Sequence, residues 1–233
     1  MLPDHPLAVL IAAAAAGRFP AADGGWQRVP PWHPELEAVL AFTGHAVFAV
    51  RPDITGRLLD SLGADGFGGA HDPRLIAALA GSAGWIDSLD LLLAARGTGG
   101  PGGPPALVDR PDLVGHPRAE LAASLREQPR ILGYQDPRRS ALAVVSRGIA
   151  GLSELSFELE PGHRGRGGGA QLIGDALSTV PAGQLTVAAA APGNAASVRS
   201  LLAAGFTPLG SLQLFRRAGP PPTAAERRAR RPR

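Results

Sequence analysis

Between residues 163 and 170 the chain reads His163-Arg164-Gly165-Arg166-Gly167-Gly168-Gly169-Ala170. A strand pattern precedes this segment and a helix pattern follows it. A glycine-rich turn entering a helix leaves several backbone N–H groups without partners, pointing outward at the positive end of the helix dipole. Such a turn can receive a diphosphate, and glycine permits the close approach of its oxygens. Arg164 and Arg166 add charge-assisted contacts. Just upstream, Glu154, Ser156, Glu158 and Glu160 alternate with Leu155, Phe157 and Leu159. That spacing puts three carboxylates on one face of a strand. Packed together in a core they would repel one another, so they must meet water, cations or a cationic substrate. A carboxylate in such a place can take a proton from an amine.

Other readings of the loop stand beside this one. Gly-Arg runs bind RNA, although such stretches usually lie in disordered tails. The segment can also be a turn with no ligand. A dinucleotide loop fits poorly: the preceding strand is charged on one face, and no acidic ribose partner stands about 20 residues further on.

The pattern Arg164-x-x-Gly167-x-Gly169, preceded by Leu159-Glu160-Pro161, resembles the Arg/Gln-x-x-Gly-x-Gly/Ala signature of the GNAT superfamily, the GCN5-related N-acetyltransferases. A second segment agrees. Asn194-Ala-Ala-Ser197-Val-Arg-Ser-Leu201-Leu-Ala-Ala-Gly205-Phe206 is similar to the family's Asn–helix–Gly–Phe segment after its fifth strand. The resemblance covers residues 105–216 and does not explain residues 1–100.

The resemblance implies a mixed sheet splayed between its fourth and fifth strands, with acetyl-coenzyme A (acetyl-CoA) in the gap as co-substrate. The pantetheine arm would run along Phe157, Leu159 and Glu160. The diphosphate would sit on the amides of Arg164, Gly165, Arg166, Gly167, Gly168 and Gly169. Asn194 and Ser197 match positions that contact the arm or cap the neighbouring helix. The implied activity is transfer of an acetyl group to a primary amine of a small molecule or peptide, by direct attack in a ternary complex. Glu154 and Glu158 are the candidate bases, and the backbone N–H near Leu159 or Glu160 is the candidate oxyanion donor. One position departs from the family. A Tyr often stands seven residues after the motif Asn as general acid, but here that residue is Leu201, and the single Tyr of the chain is Tyr134. Ser197 or Ser200 is left to orient a water in its place. The departure favours the alternative implied by the same fold: a catalytically degenerate module that binds or senses an acyl-CoA.

These groups need elements to hold them. In the C-terminal part, strands are expected at 105–108, 130–134, 141–146, 154–160, 184–190 and 209–215. Helices are expected at 117–127, from about 169, and after Asn194, which is a good N-cap, with Gly205 ending the last. The order β-α-β-β-β-α-β-α-β gives an α/β fold with a mixed sheet, antiparallel where three strands follow one another. The N-terminal part reads less clearly: a strand over 41–50, helices at 55–62 and 73–80, and a buried strand or helix over 89–95. The segment 97–105, Gly-Thr-Gly-Gly-Pro-Gly-Gly-Pro-Pro, is a linker or loop. Expected units are therefore an additional N-terminal α/β region (1–100), the acetyltransferase domain (105–216) and a disordered Arg-rich tail (217–233). The role of residues 1–100 stays open between covering the cleft, forming a homodimer surface, and being a decayed second copy of the same fold.

Composition narrows the classes. Of 233 residues, 45% are hydrophobic and 5% aromatic, so a core must be built from Ala, Leu, Val and Ile. The absence of cysteine removes disulfides, thiolate metal sites and cysteine nucleophiles. All 23 basic residues are Arg, which points to a GC-rich, bacterial genome. Residues 216–233 carry seven Arg and one Glu, so of the formal +3 charge the tail supplies +6 and the body −3. No specific nucleic-acid partner is expected from such a body. The apolar run Leu7–Ala16 is ten residues long, short of the ~18–20 that cross a bilayer. Asp4 and His5 precede it where a secretory signal carries positive charge. A buried helix in a cytoplasmic protein, away from membranes, is expected. His45, Asp65, His71 and Asp72 match no metal-ligand spacing, and no metal is expected.

Overall fold

The computed structural model describes residues 3–100, 106–136, 139, 141–160, 162 and 167–217. In chain order these form α1 (Pro6–Ala15), β1 (Trp26–Val29), β2 (Glu37–Phe42), β3 (His45–Ala49), α2 (Gly56–Ser61), α3 (Pro73–Ala80), β4 (Trp85–Arg96), β5 (Leu107–Asp109), α4 (Pro117–Leu125), β6 (Glu127–Tyr134), β7 (Leu142–Arg147), β8 (Ser153–Glu158), α5 (Gly168–Ser178), β9 (Leu185–Ala190), α6 (Ala195–Ala203) and β10 (Thr207–Arg216). Short 3-10 turns occur at Gly69–His71, Pro111–Leu113 and Ile149–Gly151. No helix among the described residues is long and apolar enough to cross a membrane.

Local chemistry explains most of these elements. Proline opens α1, α3 and α4, where its missing N–H costs nothing. Thr55, Asp72 and Asn194 cap α2, α3 and α6 through side-chain oxygens. The strand expected over 41–50 is instead the end of β2, a turn and β3. The run is apolar throughout, but Thr43-Gly44 breaks it. Gly44 has φ +70°, and a Cβ there would lie 2.7 Å from the Ala22 Cβ, so the chain reverses and β2 pairs antiparallel with β3. β1 had no visible counterpart in the sequence pattern. It is four residues long and only its last residue is buried.

One sheet takes up all ten strands among the described residues, in the order β1-β3-β2-β10-β4-β9-β8-β7-β6-β5. β4, which precedes the Gly/Pro-rich segment, lies between β9 and β10 and is antiparallel to both. Register assigns the faces. Ala94, Val187 and Glu154 stand in one row, and Asp90, Leu212 and Leu40 in another on the same face. α1 packs on this face with Leu40, Leu92, Val187 and Leu212. α4 packs beside it on Leu142 and Val144, and on Leu36 and Trp85. On the opposite face α5 and α6 cover Leu93, Ala143, Leu155 and Ala188, and α2 and α3 cover Val39, Phe48 and Phe215. The fold is mixed α/β with helices on both faces of the sheet.

Candidate functional site

β8 and β9 are parallel, and they pair only at Ser153↔Thr186 and Glu154↔Val187. Beyond these two rows they part. β8 stays bonded to β7 along its whole length, so its edge toward β9 is open after Glu154. A cleft of about 140 Å3 occupies this gap. Its lining runs from one face of the sheet to the other. Leu155, Phe157, Ala188, Ala190, Asn194, Ser197 and Leu201 form one wall, while Asp90, Arg118, Arg126, Glu154 and Leu212 form the end beneath α4. An open strand edge inside a cleft offers unpaired backbone groups to an extended ligand. The alanines of β9 leave room beside it.

The helix start reaches the same place. Gly167 is the N-cap of α5, with φ +77° and no side-chain cap bond. The first amides of the helix, from Gly168 to Ala170, have no intrahelical acceptor by position. A Cβ on Gly169 would lie 2.5 Å from the Ser200 Oγ and 3.5 Å from Leu159. Gly169 is therefore needed where α5 meets α6 and the end of β8, a packing reason that the phosphate-loop reading did not contain. Arg164, Gly165 and Arg166 lie outside the described residues.

β8 ends at Glu158, so its polar face carries two of the three carboxylates, both turned toward cations, and Glu160 lies exposed beyond the strand. Glu154 is buried, 4% exposed. One oxygen receives Arg126 Nη2 at 2.7 Å and the other the Ile149 N–H at 3.0 Å. A second nitrogen of Arg126 donates to the Ser156 hydroxyl at 3.0 Å. Glu158, at the end of β8, pairs with Arg118 Nε at 3.5 Å and is outside the cleft lining. Burial lowers the pKa of Arg118, with Glu158 pulling the other way. Of the open possibilities, the structure supplies cations for Glu154 and Glu158, from α4 and from its C-cap, Arg126.

Phe157 lines the cleft, and Leu159 and Glu160 follow the last residue of β8. Asn194 Oδ1 accepts from the Ser197 N–H at 3.2 Å, so the capping role is present, and both residues line the cleft. Leu201 is 1% exposed, packed where the resemblance would place a Tyr. Tyr134 is elsewhere. Its hydroxyl donates to Asp175 Oδ2 at 2.7 Å, and burial followed by Asp175 raises its pKa. The Arg139 guanidinium stacks 3.2 Å from its ring centre.

One cleft residue escaped the sequence reading. Asp90 sits inside β4, in a run read only as buried, and a lone carboxylate among leucines was the available signal. Its Oδ1 accepts from the Ser88 hydroxyl at 2.8 Å. Burial, with the like charge of Glu154 adding to it, pushes the Asp90 pKa up to about 6, against Ser88, Arg126 and Arg118. The four residues without a metal pattern are otherwise engaged: His45 with Asp23, Asp65 with the amides of Phe67 and Gly69, His71 with Ser211, and Asp72 with Arg74.

No family model and no curated protein matches the sequence. Solved structures overlap with it at low similarity. A protein assigned to the GNAT acetyltransferases from Novosphingobium aromaticivorans is 20% identical over 59% of this chain and 69% of its own, with a TM-score of 0.39. A GCN5-related N-acetyltransferase from Kribbella flavida is 18% identical over 63% of this chain and 65% of its own, at 0.37. A GCN5-related N-acetyltransferase-like protein from Streptococcus suis is 15% identical over 79% and 84%, at 0.35.

Proposed function

We propose that the chain is an acetyl-CoA-dependent N-acetyltransferase acting on a primary amine. The observation that carries this reading is the parting of β8 and β9 after two paired rows, beside the uncapped start of α5. The residues present fit the co-substrate. Its extended arm finds the open edge of β8 from Leu155 onward, its diphosphate finds the amides at Gly168 and Gly169, and Asn194 and Ser197 close the side toward α6. The thioester is then held within the sheet, and the amine enters from the face beneath α4.

Acyl transfer requires three further services. The amine must lose a proton, for which the cleft wall holds Glu154 and Asp90. Charge developing on the thioester oxygen requires a donor, a role this reading gives to the backbone N–H near Leu159 or Glu160. The departing thiolate takes a proton through a water that Ser197 or Ser200 orients.

A second reading is favoured by one observation. The position expected to carry a Tyr acid is the buried Leu201, and Tyr134 is tied to Asp175. On that reading the cleft binds an acyl-CoA without turnover. Calorimetry with CoA and acetyl-CoA, followed by thiol-release assays on an amine panel, separates the two. Heat with both ligands and thiol release with an amine supports the enzyme. Heat without release supports the binding module, and no heat with either ligand removes both.

A further inference from the structure

We infer that Asp90, supplied by the strand β4, is the residue that takes the proton from the attacking amine. The inference rests on the acetyltransferase reading and assigns its base.

Three observations lead to Asp90 rather than Glu154. The first is position along the gap. Glu154 is in the last row where β8 and β9 still pair, the closed base of the split. Asp90 lies four residues along β4 from Ala94, which is in line with Val187 and Glu154. It therefore stands beside the opened part, where a thioester laid on β8 would end. The second is occupancy. Both oxygens of Glu154 are engaged, by Arg126 and by the Ile149 N–H, and a proton arriving there would have to break a buried ion pair. Asp90 is held by Ser88 through Oδ1, while Oδ2 has no hydrogen-bond partner among the described residues. The third is charge. With Asp90 in the cleft lining stand Asp87 on β4, Glu154 on β8, and Arg118 and Arg126 from α4 and its end, while Glu158, outside the lining, pairs with Arg118. With Asp90 the lining holds three carboxylates against two guanidiniums, a net −1 that draws an ammonium group inward.

The step balances without another reagent. The ammonium gives one proton to Asp90 and becomes an amine. Its lone pair attacks the thioester carbon, the C–N bond forms, and the C–S bond breaks with its electrons going to sulfur. The leaving thiolate takes the second amine proton, relayed by the water that Ser197 or Ser200 orients, and Asp90 returns its own to water. A carboxyl whose pKa lies nearer neutrality, as burial makes this one, is a better proton acceptor than an ordinary aspartate.

The test uses the full chain, acetyl-CoA, and spermidine, tyramine and a peptide with a free N-terminus as amine probes. The isosteric Asp90→Asn is compared with the parent and with Asp90→Glu. Expected for Asp90→Asn are an unchanged acetyl-CoA affinity by calorimetry, a kcat lower by about 10²–10⁴-fold, and loss of the acid limb of the kcat–pH profile. Asp90→Glu is expected to recover part of the rate. Turnover within about threefold of the parent with the acid limb intact overturns the assignment while leaving the acetyltransferase reading in place. So does a parallel loss of acetyl-CoA affinity, which would put Asp90 at the coenzyme's seat. If the parent binds acetyl-CoA but releases no thiol with any probe, the enzyme reading itself fails and the assignment with it.

Discussion

Arg126 joins two side chains of one strand: it reaches Glu154 at 2.7 Å and the Ser156 hydroxyl at 3.0 Å, and only 13% of its side chain is exposed. Removing one partner of such a pair leaves a buried charge uncompensated. Arg126→Met is expected to destabilise the fold by roughly 3–5 kcal/mol, read as a lower midpoint in urea unfolding. Pairing it with Glu154→Gln should restore much of that loss. Additive losses in the double variant would mean that the two side chains do not act as a pair.

Asp90 gives the stability a pH dependence of unusual sign for an aspartate. Its carboxyl holds a proton up to about 6 in the folded chain, against about 3.9 when unfolded. On raising the pH the unfolded chain ionises first. The stability due to this group is fully present below about pH 4 and is lost as the pH rises through about 6, a loss of roughly 2–3 kcal/mol. Asp90→Asn is expected to escape it. Thermal melts should show the variant more stable than the parent at neutral pH, with the gap closing in acid.

Gly169 tests the contact between α5 and α6. An added Cβ meets the Ser200 Oγ at 2.5 Å and its Cβ at 3.0 Å. Gly169→Ala is expected to cost about 1–3 kcal/mol, more than the ~1 kcal/mol that alanine gains over glycine in a helix. Placed on a Ser200→Gly background, the same change should become stabilising. Chemical denaturation of the four chains gives the coupling.

Asn194 has two tasks that substitution can separate. Asn194→Ala removes the cap on α6 and is expected to cost about 1 kcal/mol. Asn194→Asp keeps the accepting oxygen, so its melting temperature should stay near the parent's. If the amide also faces the coenzyme, acetyl-CoA affinity falls about tenfold by calorimetry. An unaltered affinity would leave Asn194 a cap alone.

Much of this was legible in the residues. The C-terminal strand and helix order followed from period and capping: Pro117 opens α4, Asn194 opens α6, and Gly205 at φ +89° ends it. The alternation from Glu154 to Glu158 gave β8 and its two faces. What the carboxylates meet was not legible, because Arg118 is 40 residues from Glu158 and Arg126 is 28 from Glu154, on a helix and at its C-cap, whose placement depends on tertiary packing. The hairpin at Thr43-Gly44 hid inside an apolar run that satisfies both one strand and two. β4 carried little signal. Its leucines say that it is buried on both faces but not which strands flank it, and so Asp90 could not be connected to the cleft.

The seat of β4 has a consequence for any shortened form of the chain. A product beginning after residue 100 would lack the one stave between Leu185–Ala190 and Thr207–Arg216. Two bare rows of amides and carbonyls would then face each other across an empty slot, each ready to recruit a stranger. Cutting only the Gly/Pro-rich connection is a gentler operation. The severed pieces would remain laced together by hydrogen bonds on either side of the shared strand.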